Sequence, residues 1–289
     1  MARKRQFMLA KPLEDRLLAD FGDVFYVQPK LNGVRCTVIW EYNEPILLSS
    51  TGRRIQFLSH ITDELKFHPK YDWDGELYIH GKSWEYINSI CSRTVNPHPD
   101  SMFMEYHVFD TTDKYDAQSA RLYNVDTLKN GFTTTIRVVE THLADKYNYV
   151  HLLDKFVSAN YEGIMFRAID ALYQNKRTNS LLKFKPTCTD IYKIIGVEQG
   201  TGWCSEILGA FVVEAKDGST FSVGTGSALT ADNRTRYWKD RNDIIGKYLL
   251  VKHEKLKTIS GIPKSTVGVT VLTDNETAQF RSANHNDLI

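Results

Sequence analysis

Val24-Phe25-Tyr26-Val27 and Cys36-Thr37-Val38-Ile39-Trp40 flank the stretch Lys30-Leu31-Asn32-Gly33-Val34-Arg35. Runs rich in β-branched and aromatic residues favour extended backbone, and Asn-Gly accepts the positive φ angles of a tight hairpin. The pattern predicts two strands joined at that turn, with Lys30 held at a strand end. A lysine that is to act as a nucleophile must also give up a proton near neutral pH. From a reference pKa of about 10.4 this takes roughly 4–5 kcal/mol of help from burial and neighbouring cations. A solvated lysine beside a turn is the plain alternative at this point.

Further along, residues 12–20 predict a short helix with Leu13 and Leu17 on one face. Residues 46–48, 73–79 and 104–110 predict strands, and residues 82–91 a helix. Glu76 lies between apolar residues of its strand, as a surface carboxylate or as one with a purpose inside. Tyr149, Leu152, Leu153, Phe156 and Val157 fall at helical spacing and predict a helix over 144–160. Directly after it, Glu162-Gly163-Ile164-Met165-Phe166-Arg167 reads as a strand preceded by a carboxylate and a glycine. In Leu182-Lys183-Phe184-Lys185 the two lysines share one face of a strand. They repel unless an anion lies between them, or they guard a solvated sheet edge.

Beyond Thr187 short strands alternate with Gly-rich turns over 191–198, 209–215, 220–223, 247–253 and 267–272, with a single predicted helix at 231–242. This predicts a five-stranded Greek-key barrel. The expected class is therefore α+β: a domain of antiparallel sheets with helices over 1–188, then an OB-fold β-barrel over 189–289. No internal repeat is visible.

With 42% hydrophobic and 25% charged residues the chain can bury a sizeable core, and no apolar run is long enough to span a bilayer. The basic start, Met1-Ala2-Arg3-Lys4-Arg5, leads into no signal-peptide core. Cys36, Cys91, Cys188 and Cys204 are far apart and form no Cys-x-x-Cys pair, so neither a disulfide framework nor a structural zinc is expected. A cytoplasmic monomer with no membrane partner follows as the expectation. The net charge of +1 requires any polyanion site to be local. Candidates are Arg53-Arg54, Lys176-Arg177, Arg234 to Arg241 and Lys252 to Lys257, each of which could equally be a solvated face.

In this order the segments resemble the covalent nucleotidyltransferases, and most closely the ATP-dependent DNA ligases of the minimal two-domain type. Residues 30–35 are similar to motif I, Lys-x-Asp-Gly-x-Arg; Asp74-Gly75-Glu76-Leu77 to motif III; Phe109-Asp110 to motif IIIa; Glu162-Gly163-Ile164-Met165 to motif IV; and Leu182 to Pro186 to motif V. Phe7-Met8-Leu9-Ala10 resembles the family's lead-in, and Leu208-Gly209-Ala210, Phe221 to Gly226 and Ile245-Gly246-Lys247 resemble the ligase OB domain. The resemblance implies ATP and Mg²⁺ (or Mn²⁺) as cofactors, nicked duplex DNA as partner, and Lys30 as the residue that carries AMP. It implies Glu162 and Glu76 as metal ligands, Glu76 also as a ribose contact, Phe109 stacked on adenine and Gln28 reading the base edge. Arg35, Lys183 and Lys185 join that nucleotide site, Lys185 also as a catalytic group beside the phosphate. Arg53, Arg54, Arg234, Arg236, Lys239 and Arg241 are the candidate DNA contacts. An RNA ligase, a capping guanylyltransferase or a ligase-derived nick-binding protein are the alternatives. Three positions depart from the pattern: Asn32 replaces the motif I aspartate, Ser50 stands where motif Ia has arginine, and Leu272 stands where motif VI has the arginine facing pyrophosphate, with Arg281 further on.

Overall fold

In the computed structural model, which describes residues 7–131, 134–255 and 262–284, the tight two-residue hairpin falls at Tyr42-Asn43 and not at Asn32-Gly33. Tyr42 and Asn43 have φ of 50° and 68°, both in the left-handed region that such a turn demands. Asn32-Gly33 instead carries the chain from one sheet to another. The basic start Met1 to Arg5, together with Leu256, Lys257 and Gly261, lies outside the described residues.

The chain divides into two compact units, Met1–Lys185 and Pro186–Ile289. The first runs β1 (Leu9–Pro12), α1 (Asp15–Ala19), β2 (Phe25–Lys30), β3 (Val34–Glu41), β4 (Glu44–Ser49), α2 (Ser59–Leu65), β5 (Trp73–Tyr78) and α3 (Trp84–Cys91). It continues with β6 (Glu105–Thr111), α4 (Gln118–Asp126), β7 (Ile136–Val138), β8 (His142–Ala144), α5 (Tyr149–Ser158), β9 (Gly163–Arg167) and β10 (Arg177–Phe184). Its two five-stranded sheets have the orders β1-β10-β9-β2-β8 and β4-β3-β5-β6-β7. The expectation of antiparallel sheets needs correcting, because β1 pairs with β10 and β6 with β7 in parallel.

Each sheet has its own core. Phe25, Val27, Ile164, Phe166 and Leu182 pack under α1 and α5 with Leu17 and Phe156. Cys36, Val38, Trp73, Leu77, Tyr106 and Val108 pack with Ile61 and Leu65 of α2 and Ile87 and Ile90 of α3. At ~1.5–3 kcal/mol for each fully buried large side chain, Phe25 and Val27 alone fix the strand that ends in Lys30. The helix expected over 144–160 is shorter because Ala144 pairs with Phe25 in β8, and Asp145 Oδ1 then accepts the Tyr147 and Asn148 N–H groups in a turn.

The second unit contains β11 (Thr187–Gln199), β12 (Leu208–Glu214), β13 (Thr220–Val223), α6 (Ala231–Lys239), α7 (Arg241–Ile244), β14 (Tyr248–Glu254), β15 (Val267–Leu272) and α8 (Asp274–Asn284). One antiparallel sheet, ordered β13-β12-β11-β14-β15, surrounds Ile194, Phe211, Val213, Leu249 and Val251. Among the described residues no ladder joins β13 to β15, so the expected closed barrel is an open sheet here. Its edges meet at the Gly268 N–H, which donates to Thr225 O at 2.8 Å. The single helix predicted at 231–242 breaks at Asp240 into α6 and α7. An unexpected helix, α8, follows β15, where Thr273 and Glu276 cap each other: the Thr273 N–H donates to Glu276 Oε2 at 2.8 Å and the Glu276 N–H to Thr273 Oγ1 at 3.3 Å.

Candidate active site

A cleft of about 200 Å³ in the first unit is lined by Gln28, Lys30, Met165, Arg167 and Lys183 from one sheet and by Arg35, Glu76 and Phe109 from the other. The Asn32-Gly33 crossover makes this possible. A methyl on Gly33 would meet Leu77 O at 2.3 Å, so only glycine lets the crossover lie against β5. There the Gly33 N–H donates to Glu76 Oε1 at 2.7 Å.

Glu162, 8% exposed, is the hub of the cationic end. Its Oε2 accepts from Lys30 Nζ, and its Oε1 pairs with Lys185 Nζ at 2.5 Å. The Glu162 N–H also donates to Lys30 O at 3.0 Å, which ties the carboxylate to the strand bearing its partner. Gly163 allows β10 to press close, since a methyl there would lie 2.0 Å from Phe184 O and 3.1 Å from Lys185 Cα. Lys183 follows on the same side. Burial, and then Lys185, Lys30 and Arg177, push its pKa down, with Glu162 as the opposing charge. Three lysines share one carboxylate, an arrangement suited to a polyanion. Burial pushes the Glu76 pKa up, and nearby Glu162 adds to that, while Lys30, the Gly33 N–H and Arg35 oppose it. Glu76, with Glu162 near enough to oppose its ionisation, adds a second carboxylate for a divalent cation, and Mg²⁺ commonly takes only one or two protein carboxylates beside phosphate and water oxygens. Among the described residues no cluster of three or more His, Cys, Asp or Glu offers a fuller cage.

The other end of the cleft is a buried network. Arg35 Nε and Nη2 donate to Asp74 Oδ1 and Oδ2 at 2.7 and 2.5 Å, and Tyr173 Oη donates to the same Oδ2 at 2.6 Å. Asp110 receives Arg121 Nε at 2.8 Å and Arg167 Nη1 at 2.8 Å. The Phe109 ring has Arg35 at 4.8 Å and Arg167 at 5.2 Å from its centroid, within cation–π range. Gln28 is buried with its amide committed: Nε2 donates to Thr141 Oγ1 at 2.8 Å, and Oε1 accepts from Arg167 Nε at 2.7 Å. Asp74, Asp110, Arg121, Arg167 and Tyr173 were not among the sequence candidates. The available signal was charge inside apolar runs, as in Phe109-Asp110 and Phe166-Arg167.

The candidate DNA contacts lie elsewhere. Arg53 donates to Cys91 O and Ser92 O at 3.3 and 3.2 Å and so caps the end of α3, and Arg54 pairs with Glu41 at 2.5 Å. Arg234 is a correction: it is 8% exposed, and its guanidinium donates to Leu229 O, Leu208 O, Gly209 O and Gly224 O at 2.7–2.9 Å. It ties α6 to the sheet rather than facing solvent. Arg236, Lys239 and Arg241 are exposed, with Arg241 over the Trp238 ring. Leu272 is buried opposite Tyr248 on β14, and Arg281 of α8 lies 4.5 Å over the Tyr248 ring.

Residues 7–185 match the family model described as an ATP dependent DNA ligase domain, which is more than half of the chain. A DNA ligase of Haemophilus influenzae is 25% identical over 237 residues, spanning 81% of this chain and 82% of that protein. A DNA ligase of Thermococcus onnurineus is 30% identical over 138 residues, 44% of this chain and 23% of that protein. A solved structure from a study of Lig E DNA ligases, described as DNA binding with a minimal scaffold, shares the fold with a TM-score of 0.76 at 24% identity, covering 92% of this chain and 99% of that one.

Proposed function

The chain belongs to the ATP-dependent DNA ligase family, and on that premise we propose that it seals 5′-phosphate/3′-hydroxyl nicks in duplex DNA through a lysyl-AMP at Lys30. In this scheme Lys30 Nζ, having lost its proton, attacks the α-phosphorus of ATP. The N–P bond forms, the bond from that phosphorus to the bridging oxygen breaks, and pyrophosphate leaves. The 5′-phosphate at a nick then takes the AMP from Lys30, and the 3′-hydroxyl attacks that phosphate with release of AMP.

The observation that supports this most is the Lys30–Glu162–Lys185 arrangement in a cleft that also holds Lys183. Phosphoryl transfer needs in-line positioning and neutralisation of phosphate charge more than it needs covalent help. Lys183 and Lys185 supply that charge beside the attacking nitrogen. Glu162 and Glu76 would hold Mg²⁺, which when bound neutralises further phosphate charge. Phe109 and Gln28 shape the base end. The second unit is read as an OB-type domain, and exposed Arg236, Lys239 and Arg241 as contacts to DNA phosphates.

A nick-binding protein unable to adenylate itself is the second reading, favoured by one feature: β15 ends in buried Leu272 rather than a basic residue. Intact mass after incubation with ATP and Mg²⁺ decides between them. An AMP adduct in the wild type that is lost in Lys30→Ala is expected. An equal adduct in Lys30→Ala would sink the Lys30 assignment, and none in either protein would favour the second reading.

A further inference from the structure

We propose that Arg167 is a specificity-determining residue that donates Nη2 to a ring nitrogen of the purine, at the end of the cleft opposite Lys30. The inference rests on the cleft being the ATP site. Strands β2 and β9 set the ruler. Lys30 pairs with Gly163, Gln28 with Met165 and Tyr26 with Arg167, so Arg167 stands four residues along β9 from the Lys30 end, roughly 13 Å at about 3.3 Å per residue. A nucleotide with its α-phosphorus at Lys30 Nζ that runs along β2 and β9 past Met165 brings its base to Gln28 and Arg167.

The guanidinium is held rigidly for such a contact. Nε donates to Gln28 Oε1 at 2.7 Å, and Nη1 to Asp110 Oδ2 at 2.8 Å and Gln118 Oε1 at 3.2 Å. Nη2 has no hydrogen-bond partner among the described residues, although the side chain is 3% exposed and lines the cleft. The side chain lines the cleft, so a ligand seated there can take the donors that Nη2 leaves over. The carboxylate beside it is shared: Asp110 pairs with both Arg121 and Arg167, so neither guanidinium has it alone. Burial, with Arg35 and Arg121 nearby, pushes the Arg167 pKa down from its ordinary value, while Asp110 and Asp74 oppose the shift. An electron-rich ring nitrogen is the complement this position lacks.

The test is equilibrium binding of ATP, 1-deaza-ATP, 3-deaza-ATP and 7-deaza-ATP by calorimetry without divalent metal, using wild type, Arg167→Met and Arg167→Lys. One analogue is expected to bind wild type about 10- to 100-fold more weakly than ATP, the range for a hydrogen bond to a charged donor. Arg167→Met should lose a similar factor for ATP and no longer distinguish that analogue, with Arg167→Lys in between. Equal wild-type affinity for all four ligands overturns the proposal, even if Arg167→Met does not fold. So does a variant that discriminates as the wild type does. Omitting metal makes the comparison independent of whether Lys30 becomes adenylated, so the adduct assay judges the sealing scheme separately.

Discussion

Replacing Gly163 by alanine should disable nucleotidyl transfer through a backbone clash at the cationic end of the cleft. The added Cβ would lie 2.0 Å from Phe184 O, 3.0 Å from Phe184 C and 3.1 Å from Lys185 Cα, all backbone atoms that cannot swing aside. Ordinary contact begins at 3.4 Å, so β9 and β10 must part by about 1.4 Å at this point. The displaced residues are the ones that matter. Glu162 precedes Gly163 and Lys185 follows Phe184, and their 2.5 Å ion pair cannot survive that separation unchanged. Forced overpacking costs ~1–3 kcal/mol, and the upper end applies where both sides are backbone. A misplacement of about 1 Å near reacting groups can cost roughly 100-fold in rate. Gly163→Ala is thus expected to fold, to lose up to ~3 kcal/mol of stability in the first unit, and to form lysyl-AMP at least ~100-fold more slowly. Single-turnover adduct formation followed by mass, beside urea denaturation, measures both. A variant within threefold of the wild-type rate, with its urea midpoint lowered, would show that the Glu162–Lys185 contact does not govern the reaction.

Three further expectations follow. Lys185→Met should slow transfer by orders of magnitude while leaving the urea midpoint nearly unchanged, because in the proposed scheme it removes charge that would face phosphate and no core packing; unchanged single-turnover nick sealing would mean that Lys185 only guards the strand. Folding raises the Glu76 pKa above its ordinary 4.5, so its protonated form stabilises the fold at low pH and that contribution is lost as pH rises through the folded value. Glu76→Gln keeps an acceptor for the Gly33 N–H and should therefore raise the Tm at pH 7–8 in chelator, with the gain vanishing below about pH 4; a gain independent of pH would refute the charge argument. Arg234→Met strips donors from four carbonyls and should cost the second unit ~4 kcal/mol at about 1 kcal/mol per bond, whereas Arg236→Gln with Lys239→Gln should spare stability and weaken nick affinity with a shallower salt dependence; binding isotherms at several salt concentrations, alongside urea melts, separate the two.

The cationic end was legible in the sequence and the base end was not, for a physical reason. Lys30, Glu162, Lys183 and Lys185 lie at or beside strand termini, where local pattern fixes position: a lysine at the end of an apolar run, a carboxylate before glycine, two lysines alternating with Leu182 and Phe184. Their meeting depends only on β2, β9 and β10 being neighbours. The base end depends on the opposing sheet. Reading Asn32-Gly33 as a hairpin placed β2 against β3, a register that would have given Gln28 and Arg35 quite different neighbours. The actual crossover sends β3 to the other sheet, where Arg35 finds Asp74 on β5, and it leaves Gln28 to meet Arg167 on β9 and Thr141. The misreading has a definite origin, since Asn-Gly permits a tight turn without compelling one. Here the glycine is needed for the close approach to Leu77 O, while the real hairpin used the less obvious Tyr42-Asn43. In the second unit the same logic applies to Arg234, which as a charge in a basic run reads as surface; only the meeting of α6 with the carbonyls of Leu208, Gly209 and Gly224 shows that a guanidinium, with five donors in a plane, is the one side chain able to satisfy them together.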